Sequence, residues 1–181
     1  KSSPHGPVRA VGFGPVQPGQ GKEDELIIAA YEDGVIELLS LVEDREGQLK
    51  SLEVVSTLTD HTGVLTSLDV SLDGRWLLSA ARDGSIKVWS LGNHLLIHNY
   101  VCAHEDTVVG VAFRPMVTEA MDSSEDEAAL FGPPAPPEFA SVGLDGRVVL
   151  WRTGEVTSPP RILLNPFVDP AFQARPLRLA W

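Results

Sequence analysis

The chain has 181 residues, 43% of them hydrophobic and 22% charged, with one cysteine (Cys102) and a formal net charge of -11. That is enough for one ordinary globular domain, and no apolar run approaches the roughly 18 residues a membrane span needs. The acidic balance opposes direct nucleic-acid binding, the single cysteine excludes an internal disulfide framework, and a reducing home in the cytoplasm or nucleus is expected. No secretory signal opens the chain, and a start at Lys1 reads as a piece of a longer protein.

Taken in order, the elements repeat. Residues 1–41 hold "HGPVRAVGFGP" and then "LIIAAYEDGVIELLSL". Residues 59–91 hold "TDHTGVLTSLDVSLDGRWLLSAARDGSIKVWSL", and residues 104–151 hold "HEDTVVGVAFRP" and then "FASVGLDGRVVLW". Each unit places a histidine (His5, His61, His104) before a strand, then a second apolar strand, then an Asp-Gly turn. The turns are Asp33-Gly34, Asp83-Gly84 and Asp145-Gly146. Asp-Gly between two β-rich runs is a hairpin signal, because glycine supplies the positive φ of a tight turn. Period-two alternation in "SIKVWSL" puts Ile86, Val88 and Ser90 on one face and Lys87, Trp89 and Leu91 on the other. A fourth strand is expected around Leu96–Cys102. Four antiparallel strands in a unit of roughly forty residues make one blade of a β-propeller. The expected fold is therefore all-β, with blades at about 5–55, 61–103 and 104–160. "ARPLRLAW" supplies the first strand of a further blade at 175–181. Three blades do not close a ring, so the propeller is expected to be larger.

The residues at fixed offsets resemble the WD-repeat family. The matching sets are His61, Ser79, Asp83 and Trp89 in the second unit and His104, Ser141, Asp145 and Trp151 in the third. The resemblance implies a seven-bladed propeller in which each set forms a buried hydrogen-bonded tetrad that holds its blade together. The carboxylate would accept from the imidazole and from backbone N–H groups, and the indole N–H would need an acceptor once buried. The first unit keeps His5 and Asp33 but has Ala29 and Leu39 in place of Ser and Trp, so it cannot complete the set. The order of features also resembles methylosome-type WD-repeat proteins. These imply a non-catalytic scaffold with an arginine methyltransferase and Arg-rich substrates, such as splicing-particle proteins or histones, as partners. Other intracellular adaptors of the family, such as ubiquitin-ligase substrate receptors or the peroxisomal import receptor, share much of the pattern.

Ser79, His61 and Asp83 contain the residue types of a hydrolytic triad, but their recurrence in register with a tryptophan assigns them to structure. No catalytic, metal-binding or cofactor residue is assigned. His94 and His98 lie four apart, on one face if both are in a strand, with no third ligand nearby. The third unit carries an insertion, Met116–Glu138, rich in Asp, Glu and Pro and without Lys or Arg. It is expected to be a mobile acidic surface loop. Ser123 and Ser124 precede "EDE" there and resemble sites of acidophilic kinases.

Overall fold

The structure, a computed structural model, describes residues 4–14, 26–43, 48–115, 136–153 and 160–164. They form three four-stranded antiparallel sheets, each built from consecutive strands. The first holds β1 (Val8–Phe13), β2 (Leu26–Tyr31), β3 (Ile36–Glu43) and β4 (Leu49–Leu58). The second holds β5 (Leu65–Val70), β6 (Trp76–Ala81), β7 (Ile86–Ser90) and β8 (Leu95–Tyr100). The third holds β9 (Val108–Phe113), β10 (Phe139–Gly143), β11 (Val148–Trp151) and β12 (Arg161–Leu164). The first strands of the sheets lie side by side, β5 between β1 and β9, as the inner strands of adjacent propeller blades do.

Period-two alternation gives the second sheet two buried faces, one packed on each neighbouring sheet, and these contacts make the core. Ile28, Ala30, Ile36, Leu38 and Leu58 of the first sheet pack against Leu65, Leu77, Trp89 and Leu91 of the second. The opposite face of the second sheet, Trp76, Leu78, Ala80, Ile86 and Val88, packs against Val108, Val111, Phe113, Phe139 and Trp151 of the third. Phe139 stacks on Trp151 at 5.8 Å between ring centroids, and Tyr100 reaches across from β8 at 4.9 Å.

Three expectations need correction. The outer strands run on to Leu58 and Leu164 rather than stopping at 55 and 160, because β4 pairs with the whole of β3 and β12 with β11. His94 is not in a strand: it sits in the turn before β8 with φ 59, so it does not share a strand face with His98. The end of the insertion is packed rather than loose. Pro136 is buried and its carbonyl accepts from Thr153 Oγ1. Glu138 pairs with Arg114 at 2.8 Å and Arg152 at 3.2 Å. Residues 116–135, with Ser123 and Ser124, and the expected strand at 175–181 lie outside the described residues.

Candidate functional site

Each Asp-Gly turn is fixed by its own carboxylate. Oδ1 of Asp33, Asp83 and Asp145 accepts the N–H two residues on, from Val35, Ser85 and Arg147, at 3.0–3.1 Å. The glycines have φ of 89, 80 and 78°, a region other residues enter at a cost. They also allow close approach. A Cβ on Gly34 would stand 2.6 Å from the carbonyl of His61, and one on Gly84 2.5 Å from that of His104. The turns of the first and second blades are thus seated on the histidine loop of the next, a contact between blades.

In the third blade the four residues join directly. Trp151 Nε1 donates to Ser141 Oγ at 2.8 Å. Ser141 Oγ and His104 Nε2 are 2.7 Å apart, and His104 Nδ1 lies 3.0 Å from both carboxylate oxygens of Asp145. The carboxylate can only accept, so Nδ1 carries the proton, Nε2 accepts from the serine hydroxyl, and the serine oxygen accepts from the indole. Asp145 also accepts the N–H of Glu105 at 3.1 Å.

The second blade departs from the expected tetrad. Trp89 donates to Ser79 at 2.8 Å and Ser79 meets His61 Nε2 at 2.7 Å. Asp83, however, does not bond His61. Ser85 stands between them: its hydroxyl donates to Asp83 Oδ1 at 2.6 Å, and His61 Nδ1 lies 3.3 Å from its oxygen. Thr62 Oγ1 donates to the other oxygen of Asp83 at 3.1 Å. The second and third blades differ here in the residue that ends the second strand. In the third blade it is Gly143, where a Cβ would stand 2.5 Å from Asp145 Oδ1 and collide with the His104 ring. In the second blade the same place holds Ala81, whose methyl group occupies the room a direct pair needs.

The first blade uses other residues. His5 Nδ1 meets Asp33 at 2.9 Å, its Nε2 faces Glu37 at 3.5 Å, and Tyr31 Oη donates to Glu37 at 2.7 Å. Glu37 and Tyr31 were not singled out by sequence. The available signal was a glutamate in an otherwise apolar strand, "VIELLSL".

The electrostatics follow the burial. Burial, then the charge of Lys87, pushes the His61 imidazole down to about 4, against the pull of Asp83. Burial raises the Asp83 and Asp145 carboxyls, but hydrogen bonds outweigh it and hold both below the ordinary 3.8. The donors are Ser85 and Thr62 for Asp83, and Arg147, His104 and Glu105 for Asp145. Ser79 and Ser141 are 0% exposed, each oxygen already bound to an indole and an imidazole. A substrate cannot reach either hydroxyl, so these groups act as internal fastenings.

The WD domain, G-beta repeat family matches residues 52–90, which run from within β4 to the end of β7 and include the Asp83-Gly84 turn. That stretch is a WD repeat. The chain is 27% identical over 136 residues to the methylosome protein WDR77 of Xenopus laevis, covering 75% of this chain and 34% of that one. It is also 27% identical over 135 residues to eukaryotic translation initiation factor 3 subunit I of Culex quinquefasciatus, covering 67% and 39%. Among solved structures it is similar to the Cps50 (Swd1) β-propeller domain of Myceliophteria thermophila. There the TM-score is 0.58 at 20% identity, over 86% of this chain and 39% of that one, which bears on the fold alone. The chain spans less than two fifths of the length of these relatives.

Proposed function

We propose that this chain is a non-catalytic WD-repeat scaffold that holds an arginine methyltransferase and presents basic, arginine-containing proteins to it. The carrying observation is the likeness to the methylosome protein, which extends over 75% of the chain and so across all three blades. Two features support it. The polar residues that resemble catalytic groups are sealed inside the blades, which leaves the loops and edges as the working surface. The net charge of -11 favours encounter with basic segments, an attraction that salt weakens. The mechanism is recruitment and orientation, so the isolated chain transfers no methyl group.

The test is a pull-down of the whole protein from cell extract at low and moderate salt. Recovery of an arginine methyltransferase, with its basic substrates lost first as salt rises, supports the proposal. Recovery of translation initiation factor subunits, a ubiquitin ligase or peroxisomal cargo, without a methyltransferase, overturns it in favour of another adaptor role.

A further inference from the structure

A groove of about 750 Å³ runs along the inner strands β1, β5 and β9. Asp69 of β5 lines it, half-buried, with Oδ2 accepting the N–H of Phe113 at 2.7 Å across the blade junction. That bond explains a polar residue here but not a charged one, since an amide or hydroxyl oxygen would accept it equally well. The strand pairings place Gly12 of β1 and Ala112 of β9 at the corresponding positions, so the neighbouring strands leave the carboxylate uncrowded. The two arginines of the lining are occupied elsewhere, Arg9 by Glu32 at 2.9 Å and Arg114 by Glu138 at 2.8 Å. Among the described residues Asp69 has no ion-pair partner. Burial raises its carboxyl against the pull of the Phe113 and Val70 N–H groups, as befits an anion short of a counter-charge.

We propose that this groove receives a cationic side chain, the guanidinium or ammonium of a basic protein segment, and that Asp69 is its counter-ion. The assignment rests on the functional reading above for its class of partner and gives that reading a place on the molecule. Asp69→Asn is the informative variant, because the amide oxygen keeps the bond to Phe113 while the charge is removed. Asp60→Asn, at an exposed acid outside the groove lining, controls for loss of net charge alone.

Binding is measured by fluorescence anisotropy with the full chain and labelled Gly/Arg, Gly/Lys and Gly/Ala peptides. The expected result is binding of the Arg or Lys peptide and not the Ala peptide. Asp69→Asn should weaken it about tenfold with an unchanged melting temperature, and Asp60→Asn by less than about twofold. A preference for the Arg over the Lys peptide identifies a planar guanidinium site, and equal binding identifies a point-charge site. Wild-type affinity in Asp69→Asn, or equal loss in both variants, overturns the assignment. Capture of the methyltransferase by both wild type and Asp69→Asn leaves the scaffold reading standing if the peptide result fails. Asp69-dependent peptide binding without methyltransferase capture leaves the groove standing and sinks the scaffold reading.

Discussion

Ala81 and Gly143 hold the same place in their blades, opposite Leu65 and Val108. Beside Gly143 the histidine meets the aspartate directly, and beside Ala81 it does so through Ser85. Gly143→Ala should therefore force apart the His104–Asp145 pair and cost about 1–3 kcal/mol by urea denaturation. Ala81→Gly should cost less than about 1 kcal/mol, the ordinary cost of a strand glycine. An undiminished Gly143→Ala stability would show that the third tetrad is looser than described. His61 adds a dependence on pH. Its imidazole titrates near 4 when folded and near 6.5 when free, so below pH 6.5 the unfolded chain binds the proton first. Stability is then fully present above about pH 6.5 and falls as pH drops towards 4, by up to about 3 kcal/mol. Asp83 and Asp145 extend the loss below 3.8, while the raised Asp69 acts in the opposite sense. Denaturant midpoints from pH 7.5 to 4 should show this slope, and His61→Gln should flatten it.

At the scale of elements, the insertion offers a comparison. Excising 116–138 should cost about 1–3 kcal/mol more than excising 116–135 with the same short Gly linker. Only the longer cut removes the bonds of Pro136 and Glu138 to Thr153, Arg114 and Arg152. Equal melting temperatures would show that these contacts contribute nothing. The packed end was illegible in sequence because acidic and proline-rich composition describes a segment on average and says nothing about which carboxylate finds an arginine. The strands and turns were legible for the opposite reason: they repeat, and Asp-Gly has one strong local use. The Ser85 bridge was hidden because it depends on the volume left beside Ala81, a property of three strands together. The His5–Glu37–Tyr31 network was hidden because it replaces a recurring set with residues that recur nowhere else in the chain.

At the scale of the whole molecule, two strands of nearly the same sequence meet different surroundings. "VRAVGF" in β1 and "VVGVAF" in β9 place Val, Val and Phe in the same register against their second strands. In β9, Val108, Val111 and Phe113 are 0%, 5% and 5% exposed, sealed against Trp76, Leu78 and Val88 of the second blade. In β1, Val8, Val11 and Phe13 are 53%, 62% and 64% exposed. The same substitution should thus have unequal effects. Phe113→Ala removes a buried ring and should cost about 3–5 kcal/mol, whereas Phe13→Ala should stay within about 1 kcal/mol, as surface changes do. Urea denaturation of both variants of the 181-residue chain decides the matter. Equal costs would mean that Phe13 is covered in solution by another sheet. A midpoint that then rose with protein concentration would identify that sheet as belonging to a second copy, since only association shifts stability by mass action.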